Sequence, residues 1–202
     1  MKWKTMKYNP TESDTRIKLI QGSVSKAYQE TIKQDLQFFK DRWIRMDYTV
    51  KDPIITDPNI IDNGQEELPI YSQEFSIDVP QTNLFFFIKP LILTAYDRPI
   101  KSLLRCKFNR LLRNENFTIN NYNIPHQDTE NNGDTSMIYY VNDSDGNTVF
   151  FENNTIVNRI TPKQGDIVLF PSNLWHASCN PSKNAERIVL NVVAETVSSR
   201  IG

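Results

Sequence analysis

Histidine and cysteine are the scarce residues of this chain, two of each in 202 residues. Cys106 and Cys179 stand alone, without the paired spacing of a zinc cluster, a redox motif or a disulfide framework. A secreted, disulfide-stapled class is therefore not indicated, and a reducing, intracellular, cytoplasmic setting is expected. Net charge is lacking as well: 23 Lys and Arg against 24 Asp and Glu give a formal −1. No global field draws the protein to nucleic acid or to an anionic membrane, so partners have to be argued from a site. Long apolar runs are missing too. The most apolar stretch, Leu84 to Leu93, is interrupted by Lys89 and Pro90 and falls far short of the ~20 residues that a spanning helix needs. It reads as buried core. The opening Met1-Lys2-Trp3-Lys4 leads into polar sequence with no apolar signal core, and neither internal repeats nor low-complexity tracts are present.

What is present is the composition of an ordinary soluble globular protein, 39% apolar, 11% aromatic and 23% charged, in a chain of single-domain length. Its pattern changes near residue 98. Before that point, Ala27, Ile32, Leu36, Phe39, Trp43 and Ile44 recur at near-helical spacing and predict an amphipathic helix from Ser25 to Ile44. Pro53, Pro58 and Gly64 mark a loop from Asp52 to Glu67. Pro80-Gln81-Thr82-Asn83 opens a second helix that Pro90 is expected to kink or restart. From Lys101 on the units are strand-length: Leu103 to Phe108, Phe117 to Tyr122, Ser136 to Val141, Thr148 to Glu152, Thr155 to Ile160, Asp166 to Phe170, Trp175 to Ala177 and Arg187 to Glu195. The expectation is one mostly β (α+β) domain. Residues 1–98 would form a helical support region and residues 99–202 a jelly-roll core of the double-stranded β-helix kind.

Both histidines fall where a metal site would use them. In His126-Gln127-Asp128 the i, i+2 spacing puts both side chains on one face of an extended segment. Alone, this tripeptide equally suits a surface histidine bonded to Asp128. His176 follows a turn, a buried strand and a Pro171-Ser172 break, and reaches the first pair only through folding. Two imidazoles and a carboxylate can hold one face of Fe(II) and leave the other positions open; the same set also suits hydrolytic zinc. Arg187 then stands ahead of the apolar run Ile188-Val189-Leu190. Such a cation is costly to bury unpaired, Glu186 points to the other face, and a bound dicarboxylate held bidentately would satisfy it.

The segment from His126 to Asn142, with Gly133-Asp134 and Ile138-Tyr139-Tyr140-Val141-Asn142, resembles the core of the Fe(II)- and 2-oxoglutarate-dependent dioxygenases, in their prolyl-hydroxylase-like branch. Asp145 to Phe151 is similar to that family's Gly-Gly-x-Thr-x-Phe hairpin, and Gly165 to His176 to the run before its distal histidine. The likeness covers roughly residues 103 to 195. It implies His126, Asp128 and His176 as catalytic iron ligands, with Arg187 and Tyr140 on the distal carboxylate of 2-oxoglutarate and Ile138 lining the co-substrate pocket. It implies Fe(II), 2-oxoglutarate and O2 as cofactor and co-substrates, with ascorbate as accessory reductant. The reaction would be hydroxylation of a prolyl residue in a peptide or protein, yielding succinate and CO2. Asp128 argues against halogenation, for which the family gives up that carboxylate.

Three positions depart from the family pattern. Asn147 replaces the second glycine of the pair, Val189 stands where a serine is common, and Asn123 replaces the tyrosine three residues before the first histidine. The contact at the iron-chelating end of the co-substrate is therefore unassigned. Arg98, Lys101, Arg105, Lys107, Arg110 and Arg113 form a basic run, read as the solvated face of a strand whose Leu104, Cys106 and Phe108 point inward. The loop from Thr129 to Asp134 suits a substrate lid or a plain surface turn. Two other readings use the same residues: a zinc-dependent or cupin-like metal protein, and a non-catalytic jelly-roll binding module.

Overall fold

The computed structural model describes residues 16–38, 43–46, 70–74 and 83–197. Its elements run β1 (Lys18–Ile20), α1 (Lys26–Phe38), β2 (Ile44–Met46), β3 (Ile70–Glu74), α2 (Asn83–Ala95), β4 (Ile100–Leu112), β5 (Asp134–Tyr140), β6 (Thr148–Glu152), β7 (Thr155–Ile160), β8 (Ile167–Pro171), β9 (His176–Ser178) and β10 (Glu186–Thr196). Seven strands form one antiparallel sheet in the order β1-β8-β5-β10-β4-β3-β2, and three form a second, β7-β6-β9. This is the two-sheet jelly roll that the strand spacing predicts.

Alternation along the strands separates two interiors. Met137 and Tyr139 of β5, Cys106 and Phe108 of β4, and Leu190, Val192 and Ala194 of β10 lie on one face of the large sheet. There they share a core with Ile32 and Leu36 of α1 and with Ile88, Leu91 and Ile92 of α2. Their neighbours in sequence, Ile138, Tyr140 and Val189, turn to the opposite face and pack on Phe150 of the small sheet. A period of two thus gives each central strand one side for the helices and one for the space between the sheets.

The helices differ in detail from the expectation. α1 starts at a Ser25 cap, whose hydroxyl accepts a hydrogen bond from the Tyr28 amide at 3.3 Å. It ends at Phe38 rather than Ile44, because Ile44–Met46 pairs with Ile70–Ser72 as a strand, and that pairing overrides local helical spacing. α2 runs through Pro90 without a restart and buries Ile88, Leu91 and Ile92, leaving Phe86 and Leu93 exposed. No helix among the described residues is long and apolar enough to cross a membrane. The loop expected from Asp52 to Glu67 lies outside the described residues.

One expected strand is absent. Residues 113–125 form turns, not a strand from Phe117 to Tyr122. Asn114 Oδ1 accepts from the Asn116 amide, and Asn121 Oδ1 accepts from both the amide and the hydroxyl of Thr118. These short polar side chains take the backbone donors that a ladder would use. The β6–β7 hairpin closes on Asn153 and Asn154, with φ of 48° and 60°, the pair of left-handed residues that a two-residue type I′ turn demands. At Gly146 a Cβ would stand 2.4 Å from the Cys179 carbonyl oxygen, so this one retained glycine of the predicted pair is required by close approach.

Candidate active site

The segment carrying His126 is stitched to β9 by backbone bonds. The His126 amide donates to the His176 carbonyl at 2.9 Å, the reverse bond is 3.0 Å, and the Asp128 amide donates to the Ser172 carbonyl at 2.8 Å. Fifty residues of separation are thereby cancelled. Each of His126, Asp128 and His176 offers a ligand atom within 4.8 Å of the others. His126 Nδ1 lies 3.2 Å from the Ile124 carbonyl and His176 Nδ1 lies 2.9 Å from the Leu174 carbonyl. Since a carbonyl only accepts, each Nδ1 carries a proton, which leaves Nε2 as the ring atom that could bind a metal.

The charge state agrees with that use. Burial alone would raise the Asp128 carboxyl, but His176 and Arg105 beside it outweigh burial and hold it at about 2. Burial first, then the neighbouring His176, pushes His126 down to about 3. At neutral pH the group thus includes a neutral His126 and an ionised carboxylate, the forms in which these side chains bind metal. Phe170 stands edge-on to the His176 ring at 4.8 Å between centroids and limits its rotation.

Arg187 stands at the other end of the same pocket, buried at 3% exposure. Its Nη2 donates to Thr148 Oγ1 at 2.8 Å, its guanidinium carbon lies 5.8 Å from the Tyr140 ring centre, and its Nε has no hydrogen-bond partner. Among the described residues no carboxylate pairs with it. Glu186, on the opposite face as expected, pairs with Arg110 at 2.6 Å. Burial lowers the Arg187 pKa, against the raising influence of Tyr140 and Cys179. Tyr140 and Thr148 share a 2.7 Å hydroxyl bond. Thr148 Oγ1 accepts from Arg187, and in its bond with the buried Tyr140 hydroxyl either group can donate. Ile138 lines the pocket between the two ends.

The basic run divides: Arg98, Lys101 and Arg113 are exposed as expected, and the structure corrects the expectation for its middle. Arg105, Lys107 and Asn109 line the pocket; Arg105 Nη1 donates to Asp128 Oδ1 at 2.5 Å. Cys106 and Phe108 do point to the helix-covered core, but Leu104 is 50% exposed. Register shifts between β10 and β4 disturb the alternation at this end. Sequence reasoning also passed over Ser136, Ser172, Thr148 and Asn191. Ser136 Oγ donates to Asp128 Oδ2 at 2.5 Å and lies 2.9 Å from Ser172 Oγ. Thr148 sits in the hairpin that resembles Gly-Gly-x-Thr-x-Phe, a signal that could have marked it. For Asn109 and Asn191 the signal was a carboxamide in a run of apolar alternation. The Thr129–Asp134 loop is a turn tied to the neighbouring segment, with Asn173 Nδ2 donating to Asn132 Oδ1 at 2.6 Å.

A neutral imidazole, an ionised carboxylate and a second imidazole, beside a buried cation that has no carboxylate partner among the described residues, point to a metal with a chelating dicarboxylate. Residues 112–194 match the family model described as the 2OG-Fe(II) oxygenase superfamily. This region belongs to the 2OG-Fe(II) oxygenases. Solved structures share the fold of that superfamily over most of the chain. A prolyl hydroxylase from Trichoplax adhaerens, in complex with a hypoxia inducible factor peptide fragment, matches with a TM-score of 0.64 at 12% identity, over 90% of this chain and 84% of that one. A prolyl-4-hydroxylase from Pseudomonas putida matches at 0.56 and 12%, over 90% and 92%. The epimerase SnoN, in complex with Fe3+, alpha ketoglutarate and nogalamycin RO, matches at 0.61 and 9%, over 90% and 79%. No curated protein matches the chain by sequence. The donor set of the oxygenase site fits Fe(II), and its buried Arg187 fits 2-oxoglutarate.

Proposed function

We propose that this 2OG-Fe(II) oxygenase is a hydroxylase whose substrate is a prolyl residue of a peptide or protein. The observation that carries the co-substrate reading is Arg187, a buried guanidinium without a carboxylate partner among the described residues, in the pocket that His126 and His176 also line. A zinc hydrolase has no use for that cation, whereas the distal carboxylate of 2-oxoglutarate satisfies it.

In this reading His126 and His176 hold the iron through Nε2, and Asp128 supplies the third protein ligand. Bound Fe(II) supplies the redox chemistry by which O2 and 2-oxoglutarate become succinate and CO2 while a substrate C–H becomes C–OH. Arg187 orients the distal carboxylate, aided by the Tyr140 hydroxyl, and Thr148 keeps both donors aimed. Ile138, with Val189 beside it, gives the co-substrate an apolar wall that excludes water. Asp128 favours hydroxylation over halogenation because it fills the position that a halide would take. The prolyl assignment rests on the Tyr139-Tyr140 and Gly133-Asp134 resemblance, supported by the likeness to two prolyl hydroxylase folds. The epimerase SnoN on the same fold makes the reaction outcome the point to test.

The test is anaerobic titration of metal-free protein with Fe(II) and 2-oxoglutarate, following the visible charge-transfer band of the chelated oxo acid. The band is expected in wild type, absent in His176→Ala, and displaced to much higher 2-oxoglutarate in Arg187→Met. Proline-containing peptides are then incubated aerobically and weighed by mass spectrometry for a gain of one oxygen. No band in folded, iron-loaded protein overturns the oxygenase reading; a band without peptide oxidation overturns the prolyl one.

A further inference from the structure

The donors around Asp128 come from two strands that do not pair with each other but flank β10. On β10, Val193 lies opposite Arg105 of β4 on one side and opposite Ser136 of β5 on the other. Residues directly opposite share a face, so Arg105 and Ser136 flank Val193 in one row and converge on the same carboxylate. Arg105 Nη1 takes Oδ1, and Ser136 Oγ, itself bonded to Ser172 Oγ, takes Oδ2. Oδ2 is also the oxygen that faces the second histidine, 3.7 Å from His176 Nε2. The Asp128 side chain has no exposed surface, whereas that of Arg105 is 37% exposed and lines the pocket.

A carboxylate can grip a metal with one oxygen or with both. The second oxygen of Asp128 is spoken for by a charge-assisted bond, the stronger kind. Serine on Oδ2 does not compete in the same way: both oxygens keep a lone pair, but the hydroxyl is neutral, whereas the guanidinium charge on Oδ1 repels a metal cation there. We propose that Arg105 is a positioning residue that confines Asp128 to one-oxygen coordination through Oδ2, so that one further metal position stays open for exogenous ligands. The inference rests on the reading of His126, Asp128 and His176 as a metal site. It goes beyond that reading by assigning a task to a residue of the basic run.

The test uses Co(II) alone, without 2-oxoglutarate or turnover. Full-length protein with isotope-labelled aspartate is titrated with Co(II), and infrared difference spectra read the separation of the two carboxylate stretches, wide for one-oxygen and narrow for two-oxygen binding. The expected result is a wide separation in wild type and in Arg105→Lys, and a narrow one in Arg105→Met. Co(II) binding in Arg105→Met should also weaken by about tenfold, the lower end for loss of a ligand's outer partner. Thermal melting establishes that each variant is folded. A separation in Arg105→Met equal to wild type overturns the proposal. So does a narrow separation in wild type, which decides the matter even if Arg105→Met does not fold. A wild-type protein that binds no Co(II) overturns the metal reading and this inference together, whereas an absent 2-oxoglutarate band with a wide wild-type separation overturns only the oxygenase reading.

Discussion

The two faces of the large sheet are built from the same three strands and have opposite characters. On the helix side, β4, β5 and β10 present Phe108, Met137, Tyr139, Leu190 and Val192, all fully buried. On the other side the same strands present Arg105, Lys107, Asn109, Ser136, Arg187 and Asn191, with Ile138 and Val189 among them. The first face is a core of the kind that makes a protein stable, with the Tyr139 hydroxyl as its one buried polar atom without a partner among the residues just named. The second holds buried polar atoms without partners, Arg187 Nε, Asn109 Oδ1 and Asn191 Oδ1, each of which opposes folding by about 1–3 kcal/mol. Adjacent residues in one chain are thus assigned to stability and to binding by the parity of their position.

If that division is correct, substitutions on the two faces fail in different assays. The largest effect is expected for His176→Ala, which should lower metal-dependent consumption of 2-oxoglutarate by more than about 100-fold, beyond the loss of a ligand's outer partner. Its melting temperature should stay near wild type. Phe108→Ala should do the reverse: a loss of about 3–5 kcal/mol of stability in urea denaturation, with unchanged 2-oxoglutarate affinity in the protein that remains folded. A comparable loss of affinity would show that the two faces are not independent.

Arg187→Met sharpens the contrast within the polar face. Removing one partner of a buried charge pair costs about 2–5 kcal/mol of binding, so calorimetric 2-oxoglutarate affinity should fall roughly 30-fold or more. The free protein should be as stable as wild type or more so, because an unpaired buried charge has gone. Asn191→Leu should raise stability by about 1 kcal/mol for the same reason, and a destabilised variant would mean that this amide has a partner in the free protein.

Asp145 supplies the smallest effect and a control outside both faces. Burial alone would raise its carboxyl, but bonds from the Asn184 amide and from the hydroxyl and amide of Ser182, with the Lys183 amide, outweigh burial and hold it at about 2. A depressed folded-state pKa means stability that is complete above the unfolded value near 4 and lost as pH falls toward 2. Asp145→Asn should flatten wild-type stability over that acid interval and leave it little changed in shape at neutral pH, as pH-dependent melting would read.

Much of this was legible beforehand. The hairpin strands Thr148 to Glu152 and Thr155 to Ile160 have the bounds expected of them, because turn residues on either side leave no other register. Phe117 to Tyr122 misled because its spacing is strand-like while its asparagines and threonine bind the backbone locally. The triad and Arg187 were visible as scarce or misplaced residue types. Arg105 was not, since a cation in a basic strand looks like a solvated one until the strand across from it is known.

The chain alone therefore determined which side chains could carry the chemistry: its only two histidines, one aspartate two residues from the first, and one arginine in an apolar run. Residue type fixes donor atoms and charge, and both are readable one position at a time. Tertiary structure decided which oxygen of Asp128 is held by which neighbour, which imidazole nitrogen is left free, and which cations of β4 meet the pocket rather than water. Those are matters of register between strands 23 to 88 residues apart in the pairs Arg105 with Asp128 and Arg105 with Val193. A shift of one residue would have turned every one of them to the other face.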